Sequence, residues 1–275
     1  YFFFVCSGDN RDLHRVARRQ RQMVIRDRNY TGDSRQAVTA LRSAMALYKE
    51  LKHPSLIELL DSYPLGEVYV AVFRWAAGDC LFDYWNFEKY AEKKMESPMS
   101  RFMKLPIIKR LESLEVVFEF LLYVEAKGFV AIDFYDGSIL YDFSLGKTTI
   151  CDIDFFRKKP AVNDMGINFW GSKRLESPEE YILGAPIDEK TNVHTLGAMM
   201  FHFFGRYTDN EIQRIYKESR FYPCTYGNWD LNEALYNVAL RAADNDRAVR
   251  YSSVKDFYAE WKTKLLDSFI SGQDI

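Results

Sequence analysis

Cysteine is scarce and scattered in this chain of 275 residues, with no C-x-x-C spacing among its four copies, Cys6, Cys80, Cys151 and Cys224. The pattern predicts neither a zinc cage nor a disulfide framework, and it favours reduced thiols in the core. Histidine is equally rare, and its four copies show no H-E-x-x-H or other metal-ligand spacing. A histidine metal centre is therefore not indicated.

The chain also lacks long apolar runs and a strong net charge. No apolar run approaches the roughly 20 residues of a membrane-spanning helix, and the apolar opening Tyr1 to Cys6 lacks the flanks of a signal peptide. We expect a cytoplasmic protein without a membrane partner. The net charge is −2, and the arginines between Arg11 and Arg28 alternate with apolar positions. A solvated sheet face explains them better than a nucleic-acid surface does, so no nucleic-acid partner is expected.

What is present is apolar material in a recognisable order. With 48% hydrophobic and 16% aromatic residues the chain can bury a sizeable core. Up to about residue 75, the periodicity predicts short strands around one helix, Ser34 to Leu51. The predicted strands are Tyr1 to Ser7, Leu13 to Arg18, Met23 to Asp27, Leu56 to Leu60 and Val68 to Phe73.

Beyond residue 105 the pattern is mostly helical. Apolar residues from Ile107 to Val124 fall on one helical face, and Val193 to Phe204 is apolar on nearly every face, as in a buried helix. A last helix is predicted after the cap candidates Ser252 and Ser253. The expected fold class is therefore α+β, with a small antiparallel sheet lobe and one main helix in residues 1–75, and a larger, mostly helical lobe in residues 76–275.

Carboxylates stand on both sides of a predicted hairpin in the region from Phe129 to Glu180. Asp133 precedes the hairpin, while Asp152 and Asp154 follow it and are expected to share one side of a strand end. Carboxylate oxygens are the ligands that Mg²⁺ prefers. The sequence thus predicts that these acids approach one another and hold a divalent cation.

Five ordered blocks of the chain match motifs of the protein kinase superfamily. Asp133 followed by Ser138 is similar to the H-R-D-x-x-x-x-N catalytic loop, and Asp154-Phe155-Phe156 to the D-F-G element. The other blocks are similar to the A-P-E, S-D-V-W-S-L-G and D-P-x-x-R-P-S elements, at Ser177 to Glu179, Asp188 to Gly197 and Asp244 to Ser252. The chain therefore resembles eukaryotic-like Ser/Thr kinases, with some similarity to aminoglycoside-type phosphotransferases. The resemblance implies a bilobal kinase-like fold.

The resemblance also implies roles for individual residues in binding ATP and Mg²⁺. Asp133 would accept or orient the proton of the acceptor hydroxyl, and Asp154 would ligate Mg²⁺ on the ATP phosphates. Ser138 stands where the family has a metal-binding Asn, with Asp136 or water as alternatives for completing a second metal site. The interlobe hinge residues Phe73, Arg74 and Trp75 would meet the adenine through their backbone.

Structural contacts are implied as well. Glu179 would pair with Arg250, which tests the alignment of the second lobe because 71 positions separate the two (250 − 179). Asn192 replaces the aspartate that anchors the catalytic loop, and its amide would still accept a backbone hydrogen bond.

Several family features are missing. No G-x-G-x-x-G motif precedes the first helix, and Arg26 stands in place of the third-strand lysine among the cofactor-binding positions. The helix position of the lysine's glutamate partner falls near Ala44. Ala131 and Ile132 replace the usual His and Arg before Asp133, which argues against switching by loop phosphorylation.

Three interpretations follow. The first is a divergent ATP-dependent phosphotransferase acting on a protein Ser/Thr or on a small hydroxylated molecule. The alternative is a pseudokinase, a scaffold or nucleotide-binding module without turnover that serves a protein partner. The third is an unrelated α+β protein with solvated turn carboxylates. The charged stretch between Leu81 and Lys104 is interpreted as a solvated helix, or else as a cover for the cleft or a docking segment.

Overall fold

The computed structural model describes residues 2–6, 34–66, 68–82, 90, 92–218 and 220–271. Two predicted strands, Leu13 to Arg18 and Met23 to Asp27, lie outside these residues, and so does Arg26. Residues 83–89, at the start of the charged stretch between Leu81 and Lys104, also lie outside the described residues.

The described residues of the N-terminal part form a three-stranded antiparallel sheet with one helix beside it. Its strands are β1 (Phe2–Cys6), β2 (Leu59–Leu65) and β3 (Val68–Phe73), in the order β1-β3-β2, and helix α1 covers Ser34–Glu50. Helix α1 packs through Ala44, Met45 and Tyr48, which are all buried. The predicted helix and the central strand are confirmed.

Strand β2 differs from its predicted bounds of Leu56 to Leu60. It runs to Leu65 through Asp61, Ser62 and Pro64, which are residues that usually end a strand. Among the described strands β2 lies at the edge of the sheet, and its second half is mostly exposed, so polar residues and a proline are tolerated there. Leu56 makes only an isolated parallel bridge to Ile150.

The C-terminal part is mostly helical. Its helices are α2 (Pro98–Met103), α3 (Ile107–Ala126), α4 (Glu189–Phe204), α5 (Asp209–Glu218), α6 (Glu233–Ala242) and α7 (Val254–Ser271). Helix α4 is buried on nearly every face, as its apolar sequence predicts. At the start of α7, the Ser253 hydroxyl accepts a hydrogen bond from the Asp256 N–H, which confirms the predicted cap.

Short strands between α3 and α4 set the positions of the carboxylates. The hairpin of β6 (Ile139–Asp142) and β7 (Lys147–Ile150) is antiparallel and is extended by β4 (Asp79–Cys80). Strand β5 (Phe129–Val130) pairs with β8 (Arg157–Lys158), and β9 (Ala161–Val162) pairs with β10 (Pro186–Ile187). The fold class is α+β, with small antiparallel sheets in the N-terminal part and a mostly helical C-terminal part.

Within the described residues, no helix combines the length and the apolar character that a bilayer crossing requires.

Candidate carboxylate site

Two aspartates of the region have an unusual backbone conformation. Asp133 and Asp152 both have φ of +58°, in the left-handed region that non-glycine residues rarely adopt. Asp133 lies in the loop between β5 and the β6–β7 hairpin, and Asp152 lies in the loop after β7. Backbone strain of this kind persists where surrounding contacts fix the loop, and it is concentrated at functional sites.

The loop that carries Asp133 is held from helix α4. The Asn192 amide oxygen accepts a hydrogen bond from the Ala131 N–H at 2.9 Å, and its amide nitrogen donates to the Ala131 carbonyl at 2.6 Å. Both residues are buried. The backbone contact predicted for Asn192 is therefore present, and the asparagine supplies a donor that an aspartate lacks.

The three aspartates influence one another. Burial raises the pKa of Asp133 well above its ordinary value, and the charges of Asp152, Glu176 and Asp154 raise it further. Burial also raises the pKa of Asp152, with the Asp154 charge adding to the effect. In the folded chain the charges of Asp152 and Asp154 therefore act on Asp133, but among the described residues no group of three acidic, histidine or cysteine side chains is arranged to hold a metal ion.

The expected geometry of Asp152 and Asp154 was wrong in one respect. Strand β7 ends at Ile150, so the two acids lie in the following loop and do not alternate along a strand.

Tyr48 on helix α1 reaches this loop, a contact that the sequence gave no reason to expect. Its hydroxyl accepts a hydrogen bond from the Ile153 N–H at 3.2 Å. Burial raises the pKa of Asp154, while a hydrogen bond from Tyr48 lowers it. Helix α1 therefore contacts the carboxylates through a neutral hydroxyl. Ala44, at the position expected for a glutamate, is buried on the same helix.

The predicted auxiliary metal ligands have other partners. The Asp136 carboxylate is buried and forms an ion pair with Arg174. Ser138 is fully buried, and its hydroxyl donates to the Asp133 carbonyl at 3.4 Å. In this conformation the Asp136 carboxylate and the Ser138 hydroxyl are thus engaged with Arg174 and with the Asp133 carbonyl, and their predicted role as metal ligands stays a prediction.

The predicted adenine-contacting segment follows strand β3. Phe73 is the last residue of β3 and is buried, whereas Trp75 is 46% exposed. The Arg74 N–H donates to the Glu58 carbonyl at 2.8 Å, and its guanidinium pairs with the Glu58 carboxylate. The Arg74 N–H is thus engaged in a hydrogen bond with Glu58, the residue that precedes β2.

The ion pair predicted between Glu179 and Arg250 is present. The carboxylate oxygens lie 2.7 and 3.1 Å from the two terminal nitrogens of Arg250, and both residues are buried. Burial on its own would raise the pKa of Glu179, but the hydrogen bonds and charge of Arg250 outweigh it and lower the pKa to about 2. This contact joins the segment before α4 to the segment before α7.

A cavity beside Asp133 has two further carboxyl groups in its wall. It is lined by polar residues that include Asp133, Tyr135, Gly171, Ser172, Glu176 and Glu180. Glu176 and Glu180 were not among the predicted site residues, because nothing in the order of residues around Ser177 distinguishes a buried acid from a solvated one. The signal that was available is the density of acids next to Pro178.

Comparisons with known protein families and with curated proteins found no match to this chain.

Proposed function

We propose that the chain is a divergent ATP-dependent phosphotransferase with a kinase-like fold, which moves the γ-phosphoryl group to a hydroxyl of a protein Ser/Thr or of a small molecule. The observation that carries the proposal is the convergence of Asp133 with Asp152 and Asp154 from opposite ends of the β6–β7 hairpin. Phosphoryl transfer depends mostly on positioning and electrostatics, and converging carboxylates provide both once a metal is bound.

Two buried contacts support the kinase-like arrangement. The Asn192 contact with Ala131 and the Glu179–Arg250 ion pair are both contacts that the resemblance implies. They join segments 61 and 71 positions apart. A chance sequence likeness gives no reason for such distant residues to meet.

The donor set at Asp152 and Asp154 fits Mg²⁺ bound together with a nucleotide. Within the described residues, no group of three metal-ligating side chains is close enough to cage an ion. Mg²⁺ is usually held by one or two carboxylates and completes its shell with phosphate oxygens and water. When bound, Mg²⁺ would neutralise charge on the nucleotide phosphates.

Asp133 would act on the acceptor side. Its raised pKa makes the carboxylate a better proton acceptor than an ordinary aspartate, and the Asn192 contact fixes the loop that carries it. In this role Asp133 receives or orients the hydroxyl proton of the acceptor.

A second candidate is the pseudokinase scaffold, which binds nucleotide or a partner without turnover. The observations that favour it are the ion pair between Asp136 and Arg174, the burial of Ser138 and the buried alanine at position 44. Each removes a ligand or a charge that an active kinase site uses.

Turnover separates the two candidates. Purified chain is incubated with γ-labelled ATP, Mg²⁺ and mixed hydroxyl acceptors, beside the variants Asp133→Asn and Asp164→Asn. Asp164 is an exposed aspartate of the same region, which makes it a matched control. The phosphotransferase predicts transfer that Asp133→Asn abolishes and Asp164→Asn retains. Nucleotide binding with equal, background-level transfer in all three proteins would instead favour the scaffold.

A further inference from the structure

Arg174 is a buried cation with partners in three parts of the chain. Its guanidinium forms an ion pair with the Asp136 carboxylate, and the two side chains are 5% and 1% exposed. Nη1 of Arg174 also donates to His202 Nδ1 at 3.0 Å, and the guanidinium carbon lies 3.9 Å from the centre of the Phe82 ring. Arg174 thus contacts the loop before strand β6, helix α4 and the stretch after strand β4.

Asp136 is the partner that compensates the charge of Arg174. Burial, with the Arg174 charge adding to its effect, lowers the pKa of His202 to about 3, so this imidazole is neutral at neutral pH. Because arginine has no acceptor atom, Nδ1 of the neutral ring accepts the hydrogen bond. The buried guanidinium therefore depends on the Asp136 carboxylate, and loss of either charge would leave the other buried without its counter-charge.

The 171–176 segment, which contains Arg174, lies beside Asp133. Four of its residues line the same small cavity as Asp133, namely Gly171, Ser172, Leu175 and Glu176. Asp136 belongs to the loop that carries Asp133. The ion pair between Arg174 and Asp136 therefore joins two parts of the chain that border this cavity.

The position directly before Asp133 is apolar. Ile132 is 1% exposed and belongs to a buried cluster whose other members are Val130, Ala161, Phe169 and Ile187. Kinases that are switched by phosphorylation order the activation segment through a new pair between the phosphate and arginine. Ile132 carries no charge for such a pair, whereas Arg174 provides a cation from the segment itself.

We propose that Arg174 is a positioning residue of the acceptor side, and that its ion pair with Asp136 holds the 171–176 segment beside Asp133 without phosphorylation. The inference rests on the proposed function, because it assigns the regulation of that same site. The polarity is the reverse of the phosphate-dependent arrangement, since the cation lies on the segment and the anion on the loop. An acceptor hydroxyl reaches Asp133 productively only if the parts of the chain around it are fixed relative to each other.

The test measures local order in the full chain without nucleotide or acceptor. The variants are Arg174→Met, Arg174→Lys, Asp136→Asn and the double variant Asp136→Asn/Arg174→Met. The double variant is the most informative, because it removes both charges and leaves neither buried alone. Arg157→Met is the control, since it removes a partly exposed ion pair that lies before the 171–176 segment.

Hydrogen exchange followed by mass spectrometry gives the protection of peptides that cover residues 131–138 and 171–176, with helix α6 as the reference for global stability. Intact mass confirms that each protein carries no phosphate. The proposal predicts that the unphosphorylated, unmodified chain protects both regions. The double variant should exchange at least about tenfold faster in both, the range of one charged hydrogen bond, while α6 keeps its rate. Arg174→Lys should be intermediate, and the control should match the unmodified chain.

Unchanged protection of the 171–176 segment in the double variant would overturn the proposal, and so would an equal acceleration in α6, which is the result of a merely stabilising contact. An unmodified, unphosphorylated chain whose 171–176 segment exchanges like an unfolded peptide would overturn it whether or not the variants fold.

Transfer assays add a measurement that a merely stabilising contact would not move. The double variant should lower kcat/KM for the acceptor at least about tenfold and leave KM for ATP unchanged. An equal rise in KM for ATP would assign Asp136 to the metal and overturn the proposal. Hydrogen exchange does not depend on turnover, so absence of transfer in every protein would count against the proposed function, while the exchange rates would still decide the role of Arg174.

Discussion

Buried carboxyl groups between residues 133 and 180 differ in how their charge is compensated. Glu179 has two arginines beside it, Arg247 and Arg250, and its pKa falls to about 2. Glu180 is buried with no arginine or lysine in an ion pair among the described residues, and burial raises its pKa to about 8. Groups of the first kind stabilise the fold at neutral pH, and groups of the second kind are maintained despite a cost in stability.

Glu180 gives a prediction about pH. Because its pKa is raised in the folded state, the folded chain keeps a proton that the unfolded chain releases, so stability falls as pH rises from about 4.5 towards 8. Glu180→Gln removes this titration and keeps an oxygen for the Ser177 donors. Between pH 5 and 7, the free energy of unfolding of the variant minus that of the unmodified chain should increase by about 1.4 kcal/mol per pH unit. Urea titrations at three pH values measure it, and parallel pH profiles would contradict it.

Glu179 gives a prediction of the opposite sign. Its lowered pKa contributes stability above about pH 4.5, and this contribution is lost as the pH falls towards 2. Glu179→Ala leaves the Arg250 guanidinium buried without a carboxylate, so the free energy of unfolding at pH 7 should fall by about 3 to 5 kcal/mol. Glu112→Ala, at an exposed pair with Lys109, is the control and should change stability little. Similar losses in both variants would refute the structural role of the buried pair.

At the scale of elements, helix α4 orients the loop that carries Asp133. The contact runs from the Asn192 side chain on the helix to both the N–H and the carbonyl of Ala131. The loop is therefore coupled to helix α4, which is buried on nearly every face. This arrangement positions the loop of Asp133 through its backbone.

Asn192→Asp tests that coupling. An aspartate still accepts from the Ala131 N–H, but it cannot donate to the Ala131 carbonyl, which is left buried without its donor. We expect a loss of about 1 to 3 kcal/mol in the free energy of unfolding and faster amide exchange at Ala131 and its neighbours. Hydrogen exchange followed by mass spectrometry measures the local effect. Unchanged exchange in the 131–138 loop would show that Asn192 does not fix it.

Helix α1 gives the second prediction at this scale. In the unmodified chain the Tyr48 hydroxyl accepts from the Ile153 N–H, and its hydrogen bond lowers the pKa of Asp154. Tyr48→Phe removes this hydroxyl, so the pKa of Asp154 should rise. Stability should fall by about 1 kcal/mol. The pH at which Mg²⁺-dependent nucleotide binding is half-maximal should rise, because Asp154 then ionises at higher pH. A binding profile that is identical in the two proteins would exclude Tyr48 from the site.

The longest helices and the β6–β7 hairpin were predictable from sequence, whereas short elements such as α2, α5 and α6 were not predicted. Helices such as α1, α3 and α4 carry long apolar patterns, and the hairpin is marked by a turn between two β-branched and aromatic stretches. The error at β2 has a clear cause, since an edge strand tolerates the polar residues and the proline that normally signal a turn. An alternating pattern of apolar and polar residues arises where one face of a strand is buried. The exposed second half of β2 buries little, so its sequence shows little alternation.

The site was predictable only in part. The resemblance identified Asp133, Asp154, Glu179 and Arg250 because short motifs mark them. It gave no indication that Asp136 pairs with Arg174, because that partner lies 38 positions away. Tyr48 and Glu176 reach the region of Asp133 and Asp154 through contacts between residues that are distant in sequence, and local sequence patterns do not encode such contacts.

At the scale of the whole molecule, the two parts meet at the end of strand β7. The Ile150 N–H donates to the Ser55 carbonyl at 2.7 Å, and the Ile57 N–H donates to the Ile150 carbonyl at 2.8 Å. The loop that carries Asp152 and Asp154 follows directly after this junction, and Tyr48 of α1 contacts it at Ile153. The carboxylates thus lie where the sheet part, the hairpin and the helical part come together.

The central claim is that these converging carboxylates bind Mg²⁺ and nucleotide, and thermal unfolding with and without both ligands tests it most directly. At ATP concentrations well above the dissociation constant, the unmodified chain and the control Asp164→Asn should melt several degrees higher only when Mg²⁺ is present. Asp152→Asn and Asp154→Asn should lose most of that shift. An unmodified chain that shows no shift at millimolar Mg²⁺ and ATP, or the same shift in all four proteins, would contradict the account.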